Sequence, residues 1–333
     1  MFRIIISTVL VGLFFLGCET KRQNFEPEKV AGSVRYDGTL PASISDVSRY
    51  GATLANGQII TKAGLGKVRL PEGYGLLGEF DERFIAASAC GKLLVLDATG
   101  ATVFEYTFEH TVASASVDNN TLAVVDASNR LSLIDMETRT VRYSHKQDNV
   151  YALDSRIAAP YFLSSLVLFP TLDGKVVIVD RESATLVRDV VISSEQFFNN
   201  VIFLDVVADR MVVATSKRVI SINPNATVFL DADVKDVIVL ENRVFVFTKD
   251  GRVMLADADL NVLKERKFPF AVFSGVMHGE FVYVVEKGGY LIATDLDLTT
   301  VNVYKLPDEI NAPTFVTHKT VFVDNRSFTL NHQ

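Results

Sequence analysis

The sequence predicts an all-β fold, an eight-bladed β-propeller, and three observations carry this prediction. First, a phrase of about twenty residues recurs along the chain: a turn residue, an apolar strand, an Asp or Asn, a turn and a second strand. Second, helical periodicity is missing over nearly all of the sequence. Third, the copies follow one another at regular intervals. Clear copies start at Gly91, Asn129, Gly174, Arg218, Gly251 and Gly289, a weaker copy at Gly57 and a truncated one at Arg326.

Each copy forms the second half of a unit of four strands, labelled a to d in chain order. The a and b strands are apolar almost throughout, as expected for strands covered by neighbouring blades. An Asp or Asn anchor ends the c strand, and its side chain is expected to accept backbone N–H bonds in the c–d turn. Consecutive anchors lie 38, 45, 43, 34 and 38 residues apart, which is the length of one blade. The anchors are Asp97, Asp135, Asp180, Asn223, Asp257 and Asp295.

The two ends of the chain predict that the ring is closed by its N-terminal strand. The last unit supplies strands a, b and c but no d, whereas residues 29–36 form an orphan strand with no unit before it. Pairing residues 29–36 with residues 328–330 completes the eighth blade and removes two open sheet edges. Seven blades are the alternative if the weak unit at residues 44–70 is irregular.

The N-terminus resembles a bacterial lipoprotein signal. Arg3 precedes an apolar stretch too short to span a bilayer comfortably. The sequence Phe15-Leu16-Gly17-Cys18 resembles a lipobox, with Phe15 where Leu is usual. This predicts a signal peptide over residues 1–17, lipidation (for example by palmitate) at Cys18, a tether over residues 18–27 and one propeller domain over residues 28–333. An ordinary signal peptide with an incidental cysteine is the alternative.

The composition of the chain excludes some classes of function. The formal net charge is −7, and no basic cluster interrupts the acidic sequence, which argues against nucleic-acid binding. Apart from Cys18, the only cysteine is Cys90, which is expected to be a small core residue. The fold is therefore expected to hold without disulfides.

The repeat resembles that of PQQ-like, quinoprotein-type propellers, and its best copy is Val95-Leu96-Asp97-Ala98-Thr99-Gly100. Together with the lipobox, it resembles the BamB family of the outer-membrane β-barrel assembly machinery. The resemblance implies a non-catalytic scaffold that is lipid-anchored on the periplasmic face of the outer membrane and contacts a BamA-like subunit. The chain has no Trp, so the Trp platform of quinoprotein dehydrogenases cannot form here. Phe104, Val141, Val187 and Phe229 stand near the positions at which Trp residues lock blades in the family.

Two connections are longer than their equivalents and carry paired aromatics, which are candidate partner anchors. They predict partner binding by Tyr161 and Phe162 and by Phe197 and Phe198, with Phe268 to Phe270 as a third candidate. No catalytic residue, metal site or cofactor site is predicted, because no histidine pair has metal-ligand spacing and no nucleophile motif is present. The alternatives are a scaffold for another envelope complex, or a ligand-binding or enzymatic propeller that uses its central channel.

Overall fold

The computed structural model describes residues 23–330. Within this range all regular secondary structure is β-strand, and the strands form eight sheets arranged as the blades of a propeller. The predicted fold class and blade number are confirmed, because residues 44–69 form a regular four-stranded blade. No helix in residues 23–330 has the length and apolar character needed to cross a membrane. The predicted signal peptide and Cys18 lie outside the described residues.

Two short strands precede the blades: β1 (Gly32–Ser33) and β2 (Gly38–Thr39). Blade 1 contains β3 (Ile44–Val47), β4 (Gly51–Leu54), β5 (Gln58–Thr61) and β6 (Gly64–Arg69). Blade 2 contains β7 (Tyr74–Phe80), β8 (Arg83–Ser88), β9 (Lys92–Leu96) and β10 (Thr102–Thr107). Blade 3 contains β11 (Val112–Asp118), β12 (Thr121–Asp126), β13 (Arg130–Asp135) and β14 (Thr140–Lys146). Blade 4 contains β15 (Tyr161–Leu163), β16 (Leu166–Pro170), β17 (Lys175–Asp180) and β18 (Thr185–Val191).

The second half of the ring follows the same order. Blade 5 contains β19 (Phe203–Val207), β20 (Arg210–Ala214), β21 (Arg218–Ile222) and β22 (Thr227–Asp231). Blade 6 contains β23 (Val234–Leu240), β24 (Arg243–Thr248), β25 (Arg252–Asp257) and β26 (Val262–Lys267). Blade 7 contains β27 (Phe273–His278), β28 (Val282–Glu286), β29 (Tyr290–Thr294) and β30 (Val301–Lys305). Blade 8 contains β31 (Thr314–Val316), β32 (Thr320–Val323) and β33 (Arg326–Thr329).

The N-terminal segment closes the ring, as predicted, but with a different strand. β2 pairs antiparallel with β33 as the d strand of blade 8, with Gly38 opposite Ser327. The predicted closing strand, residues 29–36, is wrong: within it only β1 is a strand, and it adds in parallel to β30 as a fifth strand of blade 7. The segment therefore serves two blades in succession, and the sequence pattern did not separate these two roles.

Apolar cores lie between the blades. Eight clusters of buried side chains are present in the described chain, and each joins one blade to the next around the ring. Phe25 extends the cluster between blades 6 and 7: its side chain is 6% exposed, and its ring centroid lies 6.1 Å from that of Phe268 and 5.5 Å from that of Tyr290. The C-terminal part of the predicted tether thus packs on the propeller body.

The c–d turn anchors behave as predicted. Oδ1 of Asp97 accepts hydrogen bonds from the backbone N–H of Thr99 (2.8 Å) and of Ala101 (3.0 Å). The pKa of Asp97 is held below its ordinary value by the hydrogen bonds from Thr99 and Ala101. The other anchors cap their turns in the same way: Asp135, Asp180, Asn223, Asp257 and Asp295. The anchors are therefore turn caps spread one to a blade.

The turn that opens the phrase contains a glycine with positive φ in five of the eight copies. Gly91 has a φ of 80°, and a Cβ there would lie 2.5 Å from the carbonyl oxygen of Phe108. Gly251 has a φ of 82°, and its Cβ would lie 2.4 Å from the carbonyl oxygen of Phe268. Only glycine meets both the left-handed backbone and the close approach.

The prediction for Cys90 is wrong, because its side chain is exposed. β8 ends at Ser88, so Cys90 lies in the following turn and not in the core.

Of the residues near the family's Trp positions, Phe104 is buried between blades 2 and 3. Val141, Val187 and Phe229 are exposed on outer strands, so they do not lock blades.

Candidate partner-binding face and central channel

The antiparallel blades give the ring two different faces. One, the hairpin face, carries the a–b and c–d turns. The other, the connection face, carries the b–c turns and the segments that lead from strand d of one blade to strand a of the next. The two longest of these segments, residues 147–160 and 192–202, join blades 3 to 4 and 4 to 5. They therefore emerge side by side on the connection face.

The two long connections are tied together by a buried amide. Asn200 is fully buried, and its Oδ1 accepts the backbone N–H of Asp154 at 2.7 Å. Its Nδ2 donates to the carbonyl oxygens of Asp154 (3.2 Å) and Arg156 (2.8 Å). A fourth hydrogen bond joins the two backbones directly, because the N–H of Ala158 donates to the carbonyl oxygen of Val201 at 3.0 Å. The pair of segments is thus one fixed unit.

Asn199 and Phe198 add further links to this unit. Nδ2 of Asn199 donates to the carbonyl oxygens of Asp173 (2.8 Å) and Ser193 (2.9 Å). The N–H of Phe198 donates to the carbonyl oxygen of Ala152 at 3.0 Å, and the carbonyl oxygen of Phe198 accepts a hydrogen bond from Ser216. The backbone at Phe198 is held in the left-handed region, with a φ of 53°. The main chain beneath the aromatic rings is therefore well fixed.

Three aromatic side chains project from this unit into solvent. Phe197 and Phe198 are each 50% exposed, and Tyr151 is 77% exposed. We call these three residues the aromatic platform. The predicted pair Phe197 and Phe198 thus lies together on the connection face, and the sequence analysis missed Tyr151. Its only signal in the sequence is a lone aromatic residue in the segment that follows β14.

The other predicted pair lies elsewhere. Tyr161 and Phe162 were assigned to a loop, and this placement is wrong, because they form β15, the innermost strand of blade 4. Both side chains are partly buried and line the central channel. The guanidinium of Arg181 lies 5.1 Å from the ring centroid of Phe162. The structure therefore does not bring this pair together with Phe197 and Phe198.

In the third candidate segment, Phe268 is buried against Phe25, and Phe270 is 53% exposed on the connection face.

The central channel is blocked part-way by the first hairpin of blade 1. The turn at residues 48–50 falls inside the channel, because it lines both channel cavities and contacts Phe203 and Asp236 in β19 and β23 on the far side. Ser48 fixes the turn by donating from its hydroxyl to the carbonyl oxygen of Leu77 at 3.0 Å. The same turn lines a cavity of about 510 Å³ towards the connection face and one of about 770 Å³ towards the hairpin face.

The side chains of Arg49 and Tyr50 connect the turn to residues on the opposite side of the channel. The guanidinium of Arg49 pairs with Oδ1 of Asp236 in β23 at 2.9 Å and lies 5.0 Å from the ring centroid of Phe203 in β19. The hydroxyl of Tyr50 accepts the backbone N–H of Ala159, just before β15, at 3.1 Å. Blade 1 therefore contacts blades 5 and 6 and the connection that leads into blade 4, directly across the axis of the ring.

The charged groups around this turn shift one another's pKa values. Burial opposes ionisation of Asp236, yet Arg49 and Arg156 hold the pKa of its carboxyl below the ordinary value. Burial likewise opposes the charge of Arg49, yet Asp236 keeps the pKa of the guanidinium raised. Both groups are therefore charged at neutral pH, and each is the main compensation for the other.

Lys235 next to this pair is predicted to destabilise the fold at neutral pH. Burial and the nearby Arg156 lower its pKa from 10.5 to about 8, against the opposing effect of Asp154 and Asp236. A pKa that is lowered on folding means that the charged form is penalised below about pH 8, and that the penalty disappears as the pH rises towards 10.5. Each pKa unit corresponds to about 1.4 kcal/mol, and partial exposure of the side chain reduces the total.

We therefore expect Lys235→Met to raise the free energy of unfolding by about 1–2 kcal/mol at pH 7. The gain over the wild type should shrink at pH 10, where the wild-type lysine is neutral when folded. Urea unfolding of both proteins at the two pH values measures this difference. An equal gain at both pH values would contradict the assignment of the effect to the charge.

Histidines do not gather into a metal site in the described chain. No group of three or more His, Cys, Asp or Glu residues is arranged to hold a metal within residues 23–330. His278 and His318 lie near each other on the hairpin face, with ring centroids 5.7 Å apart. Burial and His318 lower the pKa of His278. His110 lies in the connection between β10 and β11, on the opposite face.

The architecture and its repeats define the molecule as a PQQ-like β-propeller. A sequence model of the family described as outer membrane protein assembly factor BamB matches residues 44–301, and the chain belongs to this family. Among solved structures, BamB from Moraxella catarrhalis superposes with a TM-score of 0.68 at 15% identity, covering 91% of this chain and 99% of that one. The designed protein Ika8 gives a TM-score of 0.65 at 14% identity, covering 90% and 100%. At these identities the likeness shows the fold.

Two curated relatives are more similar in sequence. Plasminogen-binding protein PgbB of Helicobacter pylori strain J99 is 31% identical over 341 residues, which cover 88% of this chain and 63% of the relative. PgbB of strain 26695 is 31% identical over 353 residues, covering 92% and 64%. The chain therefore spans just under two thirds of the length of these relatives.

Proposed function

We propose that this protein is a non-catalytic scaffold of the bacterial envelope that supports the assembly of outer-membrane β-barrel proteins. In this proposal Cys18 carries the lipid, and the propeller lies on the periplasmic face of the outer membrane. The observation that carries the proposal is membership of the BamB family over residues 44–301. The relatives named for binding another protein support the coarser part of it, a role in protein contacts.

The aromatic platform is the surface we propose for the main partner, a BamA-like barrel subunit. Exposed aromatic rings on a fixed backbone make good anchors, because they bury a large area and lose little conformational freedom on binding. Phe197 and Phe198 meet this description, since hydrogen bonds hold the main chain beneath them on both sides.

Open outer edges offer a second mode of contact with client β segments. β18 is the outer strand of blade 4, and its Leu186, Val187 and Val191 are 51%, 55% and 58% exposed. The parallel addition of β1 to β30 is an example of strand addition to an outer edge within this molecule. Main-chain hydrogen bonds and exposed apolar side chains are what strand addition requires.

Affinity capture tests the platform. We expect the tagged full-length protein, expressed in its own bacterium and extracted from membranes with mild detergent, to recover the barrel-assembly complex. The double substitution of Phe197 and Phe198 by Ser should reduce recovery at least about tenfold, because two anchor residues of about 1 kcal/mol or more each are lost. Quantitative mass spectrometry of the captured proteins gives the measurement.

Phe229→Ser is the matched control, because Phe229 is 59% exposed but lies on the outer strand β22. It should leave recovery unchanged. Equal recovery with the platform variant would reject the platform, and recovery of an unrelated envelope complex by the wild type would reject the assembly role.

A second candidate function is plasminogen binding, which the name of the 31% identical relatives favours. Surface plasmon resonance of the purified chain over immobilised plasminogen tests it. Saturable binding would support this function, and the absence of binding would reject it.

A further inference from the structure

The connection between blades 6 and 7 holds two exposed apolar side chains that are not part of the aromatic platform. Phe270 is 53% exposed and Val272 is 45% exposed, whereas Phe268 and Ala271 in the same turn are buried. The φ of Phe270 is 65°, a left-handed backbone that suits Gly or Asn and is unusual for a bulky residue. A large apolar ring held in solvent on such a backbone indicates a contact outside the molecule.

Backbone hydrogen bonds fix this turn at three points. The N–H of Phe268 donates to the carbonyl oxygen of Gly251 at 2.8 Å, and the N–H of Ala271 donates to the carbonyl oxygen of Phe268 at 3.1 Å. The N–H of Lys287 donates to the carbonyl oxygen of Val272 at 2.9 Å. The exposed side chains therefore lose little backbone freedom when they make a contact.

Phe270 lies beside the place where the N-terminal segment meets the propeller. Phe25 and Phe270 line the same groove, and the ring centroid of Phe25 lies 6.1 Å from that of Phe268. At most about 25 Å of extended chain separates Cys18 from Phe25. This inference rests on the lipid anchor of the proposed function: a lipid on Cys18 holds the bilayer within that distance of the groove.

The groove offers an apolar contact and not an electrostatic one. Its charged residues are two acids and two lysines: Glu26, Glu28, Lys29 and Lys267. The ammonium of Lys267 also lies 2.8 Å from a carboxylate oxygen of Asp250. Because cations are not in surplus here, anionic lipids are not specially attracted, and the contact depends on the two exposed apolar side chains.

We propose that Phe270 and Val272 insert into the headgroup region of the membrane to which Cys18 is anchored. Their insertion removes exposed apolar surface from water. The short tether makes this contact intramolecular, so that even a weak contact is populated. The tether brings the bilayer to this part of the rim in every anchored molecule, which favours a lipid surface over a protein partner as the occupant.

Trp fluorescence tests the contact, because the chain contains no Trp and a single introduced Trp reports only its own surroundings. The full-length, lipidated Phe270→Trp variant is reconstituted, with no other protein, into phosphatidylcholine vesicles that contain brominated phosphatidylcholine, a quencher of nearby Trp. We expect its fluorescence to be quenched at least about twofold more strongly than that of Val103→Trp. Adding phosphatidylglycerol to the vesicles should not increase the difference.

Val103→Trp is the matched control. Val103 is 51% exposed on the outer strand β10 of blade 2, which lies opposite blade 6 across the ring. Val272→Trp is a second test position and should be quenched like Phe270→Trp. Urea midpoints of the variants within error of the wild type ensure that the fluorescence reports the folded protein.

Mass spectrometry of the N-terminal peptide distinguishes a failure of this inference from a failure of the anchor. Equal quenching of Phe270→Trp and Val103→Trp on a chain that carries the lipid would overturn the inference and leave the anchor intact. A Cys18 without lipid in membranes of the native bacterium would overturn both. Protection of Phe270→Trp from acrylamide in native membranes but not in the vesicles would assign the surface to a protein partner, and would also overturn the inference.

Discussion

Asp236→Asn is expected to lower the free energy of unfolding by about 2–4 kcal/mol. The substitution leaves Arg49 and Arg156 in the channel without their shared carboxylate, and a buried charge without compensation is costly. The side chains of Arg49 and Asp236 are 14% and 19% exposed, so we expect somewhat less than for a fully buried pair. Urea unfolding at pH 7 gives the difference.

The pH dependence gives a second check on the same variant. The pKa of Asp236 is lowered on folding from its ordinary 3.8, so its contribution is complete above that pH and is lost as the pH falls through the lower folded-state value. The difference between wild type and variant should therefore narrow in acid. A constant difference down to the lowest pH at which the protein stays folded would contradict the ion pair.

Two other variants isolate the cost of the unpaired charge. Asp233→Asn removes the carboxylate of an exposed pair with Lys217, both side chains being about half exposed, and should cost less than about 1 kcal/mol. The double variant Arg49→Met with Asp236→Leu should recover most of the loss, because replacing both charges by apolar groups removes the penalty. Failure of the double variant to recover stability would mean that the hairpin of blade 1 needs the pair for its geometry.

Phe328→Ala is expected to cost about 3–5 kcal/mol and to loosen the closure of the ring. Phe328 is 1% exposed in the core between blades 7 and 8, and its ring centroid lies 6.2 Å from that of Tyr36. Closure there rests on β2, a strand of only two residues. The N–H groups of Asp37 and Leu40, which donate to Ser327 and Asn325, should exchange with solvent much faster in the variant. Hydrogen exchange with mass spectrometry measures this.

Phe169→Ala is the control for closure. Phe169 is fully buried between blades 3 and 4, where the chain is continuous. We expect a similar loss of global stability but no selective increase in exchange at residues 37–40. If both variants loosen residues 37–40 equally, the closing strand is not the weak point of the ring.

Local patterns predicted the architecture well because propeller blades are built from near neighbours in sequence. Each anchor, such as Asp97, caps a turn only two to four residues away. Each b strand, such as β12, pairs with the strands immediately before and after it. Strand length, turn residues and spacing therefore contain most of the information, and they gave the number of blades.

Features that depend on distant residues were not predictable in the same way. Arg49 and its partner Asp236 are 187 residues apart, and no motif marks either residue. The split of the N-terminal segment between β1 and β2 was missed, because both blades 7 and 8 offer an outer strand to pair with. The position of the turn at residues 48–50 inside the channel was not predicted, because its contacts with Phe203 and Asp236 join residues that lie far apart in the sequence.

The candidate binding residues show the same limit. Phe197 and Phe198 were placed correctly in a surface connection, because Ser, Glu and Asn surround them. Tyr161 and Phe162 were placed in a loop, because they belong to a connection that is longer than its equivalents. In the structure the first strand of blade 4 starts at Tyr161. Whether either pair binds a partner stays a prediction.

The burial of Phe25 restricts how the molecule can sit against a membrane. A lipid on Cys18 would leave seven residues, 19–25, before the chain is pinned between blades 6 and 7, a reach of at most about 25 Å. The propeller would then be attached to the bilayer next to blades 6 and 7, and the short tether would restrict its orientation. Phe197 and Phe198 lie two blades away from this point around the ring.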